Sequence, residues 1–518
     1  MDAYGGRYWR SHNRTGQHGD SNGGGKYRDR IKSNIASAYS KAEEKGAELP
    51  SVQNSDNLPA AIAAIPSGGD GGGSTPLDPM EVYKATRPAD WLSMPEPAGN
   101  EMYLLFHIPD GASSLLAFTA TCTGSYTVAL GTVEGGQFVQ RSAVSVDSGA
   151  KYETELAAAD WTDLTSDGCR QVMIKVSGAE LLTWEPSVHS RKSSPASFSN
   201  WNIVEIACRL PAGTRLSCGH ATANRALSNL RYFAWYGENC AVNLNSMFYF
   251  CRSLAAVLDL DTSKAVDMGY LFSNCAALLA VPTLDMSKVE TVDRMFNSCT
   301  AIPAVPPVDT SRAASLAQLF ADCSSLREVP ALDTSLATDL SYLFSNCFAL
   351  QKVPNLDTRN AASMSYLFRG CRSLTSVPEL DTSQATSMSY LFSDCWSLTS
   401  VPELDMTNVT SASYLFSNCY SLLRVPRLKG YRAAASSGFT NCGVLSELRF
   451  DPDVTGWAGY ATSLSGGSLN HDAIVALLES LPSITSAKVL TLTGNPGVPE
   501  LTEEEKAIAA GKNWTLKL

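Results

Sequence analysis

The second half of the chain carries a strictly repeated spacing of apolar side chains. Cysteines recur every 24 residues from Cys251 to Cys419, and Cys442 follows after 23. A phenylalanine stands three residues before each cysteine from Cys251 to Cys419, and most units continue as L-x-x-V-P-x-L-D-T-S. A constant period between about 20 and 30 residues predicts a solenoid, in which each unit forms one coil.

Within a coil, the pattern predicts one short helix and one short strand. Four apolar residues have the i, i+3, i+4, i+7 spacing of a helical face: Met364, Leu367, Phe368 and Cys371. Asp357-Thr358 is placed to cap the first turn of this helix. The stretch Leu374–Leu380 is extended, with Pro378 at the strand end. Neither element can bury its apolar side alone, so stacked coils must share one core.

The repeats occupy residues 191–442, and residues 443–518 continue them with a different spacing. Leu445-x-x-Leu448-x-Phe450 and Leu490-x-Leu492-x-x-Asn495 each fit a repeat strand. Thr502 and Glu505 form a capping box before a helix that ends at Gly511. This C-terminal segment is therefore predicted to consist of the atypical repeats that close the array.

Residues 80–190 alternate apolar and polar side chains, which predicts β-strands. Met102, Leu104, Phe106 and Ile108 alternate in the first of them. Further predicted strands are Leu115–Cys122, Tyr126–Leu130, Phe138–Val146 and Val172–Val176. Strands at this spacing are typical of a β-sandwich, which we predict for this region.

Residues 1–66 are predicted to form a small helical module. Ile31, Ile35, Ala38 and Ala42 form an apolar stripe at helical spacing, and a second short helix is predicted near Ala60–Ile65. Residues 67–79 contain the run Gly68–Ser74 and are predicted to be a flexible linker.

The composition and charge of the chain exclude several classes of protein and partner. Hydrophobic residues make up 44% of the chain, which excludes wholesale disorder. Forty basic against 51 acidic residues give a net charge of −11, which argues against nucleic acid as a partner. The N-terminus lacks the apolar segment of a signal peptide, and no apolar run is long enough for membrane insertion. We therefore expect a chain that folds in the cytoplasm.

No catalytic motif stands out. The six histidines are scattered, and the sequence contains no H-E-x-x-H, G-x-S-x-G, P-loop or dinucleotide fingerprint. Cys208 and Cys218-Gly-His220 could hold a metal, but they lack a C-x-x-C pair. We expect a non-enzymatic protein without a cofactor or a metal site.

Two ladders of side chains leave alternatives open. The cysteines could form disulfides between coils, bind metal, or fill the core as small apolar side chains, and their spacing favours the core. The second ladder consists of Asp261, Asp285, Asp309, Asp333, Asp357, Asp381 and Asp405. Neighbours about 5 Å apart repel by roughly 0.8 kcal/mol in water, so backbone N–H donors at helix caps or a row of Ca²⁺ ions must offset the repulsion.

Candidate binding residues lie at two further positions of the coil. The position after each cysteine varies and becomes aromatic towards the C-terminus, giving Phe348, Arg372, Trp396 and Tyr420. Two residues before each phenylalanine, a second row consists of Tyr342, Tyr366, Tyr390 and Tyr414. Aromatic residues and arginine are common anchors of binding surfaces, whereas the alternative is that these side chains only cover neighbouring coils.

The repeat resembles that of the BspA-type leucine-rich-repeat proteins, and the residues from Ser373 to Ser383, S-L-T-S-V-P-E-L-D-T-S, are close to that family's unit. This resemblance covers about residues 240–518 and implies a leucine-rich-repeat solenoid. Arg30–Tyr39 with Leu49-Pro50 and Gln53–Leu58 is similar to a module of phage tail proteins. Gly124–Gly131 resembles a PKD-like hairpin, although its W-G-D-G tetrad is absent.

These resemblances imply a phage or prophage tail protein, as a tail fibre or receptor-binding protein of the virion. The N-terminal module would attach to tail or baseplate proteins, and the solenoid would contact a glycan or protein of the host surface. The resemblance also allows a homotrimer. The alternative is an adhesin on a bacterial cell surface that binds host matrix protein or glycan.

Overall fold

The computed structural model describes residues 76–161, 164–178, 181–185, 202–211, 214–219, 226–237, 241–430, 438–451 and 462–518. The predicted helical module 1–66 and most of the linker 67–79 lie outside the described residues. Among the described residues, no helix is both long enough and apolar enough to span a membrane.

The described chain begins with one short helix and a series of strands. Helix α1 spans Pro79–Thr86, and Asp78 caps it by accepting a hydrogen bond from the Met80 amide at 2.7 Å. The strands that follow are β1 (Glu101–Pro109), β2 (Ser113–Cys122), β3 (Ser125–Glu134), β4 (Gln137–Asp147), β5 (Lys151–Ala157), β6 (Cys169–Gly178), β7 (Leu181–Glu185), β8 (Ile203–Arg209), β9 (Arg215–Leu216), β10 (Tyr232–Trp235) and β11 (Ala256–Asp259). Strands β1, β2, β3, β4 and β6 confirm the five strands predicted from alternation.

These strands form two sheets. The smaller has the order β5-β2-β7-β9, and the larger has the order β11-β10-β8-β1-β6-β3-β4. Phe118 of β2 packs against Tyr126 of β3 with ring centroids 6.3 Å apart, which brings the two sheets together. The prediction of a β-sandwich confined to residues 80–190 is not confirmed, because the larger sheet takes in three strands beyond residue 200.

The larger sheet runs directly into the solenoid. β10 pairs in parallel with both β8 and β11, and Ala256 of β11 forms a parallel bridge with Ala280 of the next coil. Phe233 of β10 packs edge-on against Phe248, the first phenylalanine of the repeat, at 4.9 Å. The buried apolar residues consequently form one continuous core from the first sheet to the C-terminal strand.

The solenoid is a parallel stack of about 11 coils. Within each coil the backbone forms a series of tight turns. Across residues 241–430, all of which are described, there is no helix. Alternate amides donate to carbonyls of the next coil; in one coil these amides belong to Met364, Tyr366, Phe368 and Gly370, at 2.8–3.0 Å. Two of the amides between them, those of Leu367 and Arg369, donate three residues back, at 3.2 and 3.1 Å. The predicted short helix is wrong, because every second amide leaves the coil to bond its neighbour.

Left-handed residues make these turns possible. In most coils two residues have positive φ, one two positions before the phenylalanine and one just before the cysteine, as at Tyr366 (62°) and Gly370 (74°). Asparagine, aspartate and glycine tolerate this conformation best. They fill the position before most of the cysteines, as Asn274, Asp322, Asn346, Gly370, Asp394, Asn418 and Asn441.

In the middle of the solenoid the predicted strand, Leu374–Leu380 in one coil, is absent, and the coils pair instead through single bridges just before the Met364 position of the repeat. Ser363 bridges Ser387, and Ser387 bridges Ser411, always in parallel and at the same position of the next coil. A proline in each coil removes one ladder donor, which limits continuous strand pairing. Longer strands return at the C-terminal end as β12 (Leu404–Asp405), β13 (Arg424–Lys429) and β14 (Glu447–Phe450).

Phenylalanine and cysteine form the centre of the core. The rings from Phe248 to Phe416 stack in one row with centroids 5.5–6.1 Å apart. From Cys275 to Cys419, each buried thiol donates to the carbonyl of the phenylalanine 27 residues earlier, at 3.0–3.2 Å. All described cysteines are free. The core role predicted for the ladder is confirmed, and the thiol also satisfies a carbonyl of the preceding coil.

Backbone N–H donors offset the repulsion between neighbouring aspartates, as predicted. These donors belong to turns and not to the helix caps that the sequence suggested. Each carboxylate, from Asp261 to Asp405, accepts the amide of the residue two positions on, at 3.0–3.3 Å. Hydrogen bonds from Ser311 lower the pKa of Asp309 below its ordinary 3.8, although Asp333 acts in the opposite direction. The stability that this bond contributes is therefore present above pH 3.8 and is lost as the pH falls through the lowered value.

The C-terminal residues close the array as predicted. Their elements are β15 (Thr462–Ser463), α2 (His471–Ser480), β16 (Lys488–Thr491), α3 (Glu503–Gly511) and β17 (Trp514–Lys517). The capping box of Thr502 and Glu505 is present at the start of α3. Buried Asn495 donates to the carbonyls of Leu464 and Leu492, both at 2.8 Å, as its L-x-L-x-x-N pattern leads one to expect.

We predict that Phe368→Ala lowers the free energy of unfolding by about 3–5 kcal/mol. The ring lies between Phe344 and Phe392, at centroid distances of 5.9 and 5.8 Å, so its loss leaves a cavity in the stack. Urea unfolding followed by circular dichroism measures the change. A loss below about 1 kcal/mol would contradict a close-packed row.

The nine cysteines from Cys251 to Cys442 should resist thiol reagents in the native protein. Burial raises the pKa of each of these thiols, to about 12 for Cys442, and the thiolate is the reactive form. Ellman titration before and after denaturation should show a large gain on unfolding. Half-buried Cys169 is the internal comparison, and disulfides between coils in mass spectra would contradict the prediction.

Candidate functional site

The structure brings four of the predicted binding residues into one column. Phe348, Arg372, Trp396 and Tyr420 lie on consecutive coils, held by the same inter-coil hydrogen bonds, such as Ser397 N–H to Arg372 C=O at 3.2 Å. The guanidinium carbon of Arg372 lies 4.3 Å from the ring centroid of Phe348 and 4.0 Å from that of Trp396. Trp396 and Tyr420 follow at 5.9 Å with a tilt of 59°. We call these four residues the arginine column.

The arginine column presents edges to solvent. The guanidinium of Arg372 contacts an aromatic ring of the coil before it and of the coil after it, and Arg372 is itself exposed, so its N–H donors are open to solvent. Trp396 and Tyr420 remain 39% and 49% exposed. The faces of Phe348 and Trp396 that contact Arg372 are therefore closed to a sugar ring, and the N–H rim offers a polar contact.

The second predicted row is a stack of half-buried tyrosines. The rings of Tyr342, Tyr366, Tyr390 and Tyr414 lie 4.2, 4.6 and 4.8 Å apart and within 15° of parallel. Burial, followed by the neighbouring Tyr342, raises the pKa of Tyr366. All four residues have φ between 57° and 62°, a strained conformation for a bulky side chain that the stacking offsets. This row strengthens contact between coils and leaves only ring edges accessible.

A groove adjoins the arginine column, and sequence analysis did not predict it. Its volume is about 660 Å³, and it begins at Ser373 and Ser397, each one residue after a member of the column. The other lining residues are Gln351, Lys352, Val353, Thr375, Ser376, Val377 and Pro378. The available signal was the run of serine and threonine between the repeated leucine and Val-Pro positions of these coils.

Elsewhere, one group of side chains could hold a metal. His107 of β1, Asp167 and Cys169 of β6 place their ligand atoms within 4.8 Å of one another, which is the one such group found among the described residues. Burial would raise the pKa of Asp167, but hydrogen bonds from His107 and Thr165 outweigh it and lower the value to about 2. Of the three residues considered from the sequence, Cys208 and Cys218 are buried, and His220 lies outside the described residues.

Comparisons with known proteins concern the repeat region. The family described as "Mycoplasma protein of unknown function, DUF285" matches residues 234–329 and 314–425. A leucine-rich repeat protein of Eubacterium ventriosum is similar over 54% of this chain and 82% of its own, at 13% identity and a TM-score of 0.29. A structure of the Drosophila Toll–Spatzle complex is similar over 54% of this chain and 53% of the other, at 14% identity and a TM-score of 0.20.

A search of curated protein sequences finds no match. The structure itself is a repeat solenoid, and a bacterial leucine-rich repeat protein is among its structural neighbours.

We predict that Tyr366→Ala lowers the free energy of unfolding by about 1–3 kcal/mol, because it removes two stacking contacts worth about 0.5–1.5 kcal/mol each. Tyr366→Phe is the matched control, since it keeps the ring and loses only the hydroxyl, and it should stay within about 1 kcal/mol of the parent. Urea unfolding of both variants measures the difference. Equal stability of the two variants would show that ring stacking does not hold these coils.

Proposed function

We propose that this chain is a non-enzymatic receptor-binding protein of a phage or prophage tail, and that its solenoid contacts the host cell surface. The observation that carries the proposal is the arginine column, where four varied residues, three of them exposed, line up across four coils of an otherwise repeating scaffold. A position that differs between coils can carry information about a partner, whereas constant core positions cannot. The tail assignment itself rests on the sequence resemblance of residues 30–58.

In this proposal each part of the chain has a different role. Residues 1–66 attach to tail or baseplate proteins, and the two-sheet region carries the solenoid outward. The continuous core between sheet and coils supports that role, because it transmits the orientation of the sheet to the first coil. The chain needs neither cofactor nor membrane insertion in this role, and a homotrimer in the virion is the assembly that we propose.

A chain that starts at residue 76 should fold but fail to join tail particles. Residues Ser67–Leu518 form one compact unit, and α1 must be kept because Tyr83 and Arg87 both bond the buried carboxylate of Glu205, at 2.8 and 2.9 Å. Circular dichroism checks folding, and immunoblots of purified particles check incorporation. Normal incorporation of the shortened chain would remove the tail-attachment role. Binding to matrix proteins by a cell-anchored form would favour the adhesin instead.

We expect Trp396→Ala to weaken binding to host cells by about 2 kcal/mol or more while leaving thermal unfolding nearly unchanged. Trp396 is 39% exposed and contacts Arg372 and Tyr420, so its loss frees Arg372 without opening the core. Cell-binding isotherms and thermal melts of parent and variant give both quantities. A variant that melts well below the parent yet binds cells normally would show that the column is scaffold.

A further inference from the structure

We propose that the arginine column and its groove bind an oxyanion-bearing, hydroxyl-rich polymer, such as a surface polysaccharide with carboxylate or phosphate groups. The oxyanion pairs with Arg372, and the sugar hydroxyls lie along the groove. This inference rests on the proposed function, because it names the class of surface ligand that the solenoid contacts.

Arg372 is pre-ordered for a planar anion. Phe348 and Trp396 clamp its guanidinium at 4.3 and 4.0 Å, which fixes the plane of the group before a ligand arrives. Among the described residues this guanidinium makes no hydrogen bond or ion pair, whereas Arg359 pairs with Asp357 and Arg424 with Glu447. A rigid fork of N–H donors matches the two oxygens of a carboxylate or phosphate. An acidic group of the bound polymer would supply the partner that this arginine lacks among the described residues.

The groove supplies the complementary chemistry for sugar. Four hydroxyl-bearing residues line it, Ser373, Thr375, Ser376 and Ser397, while Val377 and Pro378 add an apolar strip. Lys352 brings a second positive charge one coil from Arg372, and none of the lining residues is acidic. The lining comes from three consecutive coils, a span of roughly 10 Å at about 4.8 Å per coil, which suits an extended chain.

An extended peptide fits this groove less well. A bound peptide would need free backbone donors and acceptors at a strand edge. Here some backbone groups beside the groove already bond between coils, as the amide of Thr399 does to the carbonyl of Thr375 at 3.1 Å and that of Ser373 to Phe348 at 3.2 Å. The side-chain hydroxyls of the lining, by contrast, pair readily with sugar hydroxyls.

The test uses the full chain with four soluble probes: polygalacturonic acid, its methyl ester, poly(glycerol phosphate) and polyglutamate. Biolayer interferometry should show binding to polygalacturonic acid or to poly(glycerol phosphate), and the stronger of the two identifies carboxylate or phosphate as the source. The neutral methyl ester should bind at least about tenfold more weakly than polygalacturonic acid if carboxylate is the source, because it lacks the charge that Arg372 recognises.

Variants separate the column from general charge effects. Arg372→Gln should lower affinity for the preferred probe by at least about tenfold, and Arg372→Lys by about fivefold, because lysine cannot form the bidentate contact. Arg359→Gln is the matched control: it removes one exposed arginine that already has a partner and should leave binding unchanged. Thermal melts of each variant confirm that it is folded.

Three results would overturn the inference. The first is no binding to polygalacturonic acid or to poly(glycerol phosphate) by a protein that still binds host cells. The second is an equal loss of affinity for Arg372→Gln and Arg359→Gln, and the third is a preference for polyglutamate over both other anionic probes. In the first case the proposed function stands and only the ligand class fails. If the full chain binds neither the polymers nor any cells, the proposed function fails with it.

Discussion

The hydrogen bonds between coils are the constraint on which the solenoid depends. Every second amide of the M-x-x-L-F-x-x-C segment donates to the next coil at 2.6–3.1 Å, so no coil can satisfy its backbone alone. Each buried amide without a partner costs about 1–3 kcal/mol of folding stability, and this cost keeps the number of residues per coil constant. A single insertion would put the amides of one coil out of step with their acceptors in the next coil. The constant period of the sequence is thus a consequence of the hydrogen-bond register between coils.

Once the register is fixed, each side chain packs against the side chain at the same repeat position of the next coil. The phenylalanine row has spacings of 5.5–6.1 Å in the packed core, and the tyrosine row has spacings of 4.2–4.8 Å at the half-exposed surface. The cysteines add a contact of another kind, since each thiol bonds the carbonyl of a phenylalanine one coil back. Serine would be more polar at this site, and alanine would leave the carbonyl without that donor.

Sequence alone was enough for the register, the core residues and the C-terminal cap, because each depends on spacing. The helix was predicted wrongly because i, i+3, i+4, i+7 spacing fits both a helix and successive three-residue turns. Asn346, Gly370 and Asp394 before the cysteines were the overlooked signal, since these residue types tolerate positive φ. The extension of the first sheet through β8, β10 and β11 had no signal of its own, because strand pairing over long distances leaves no fixed spacing.

The sequence predicted which residues line up in the candidate site, but it did not predict how their side chains are oriented. Spacing places Phe348, Arg372, Trp396 and Tyr420 in one column, yet it does not say whether rings face solvent or face each other. The rise per coil decides this: at about 4.8 Å, flat groups on adjacent coils fall near stacking distance and turn their faces inward. An arginine between two aromatic residues then becomes the member with the most unused polar capacity at its rim. The chemistry of this face therefore follows from the single non-aromatic residue in the column.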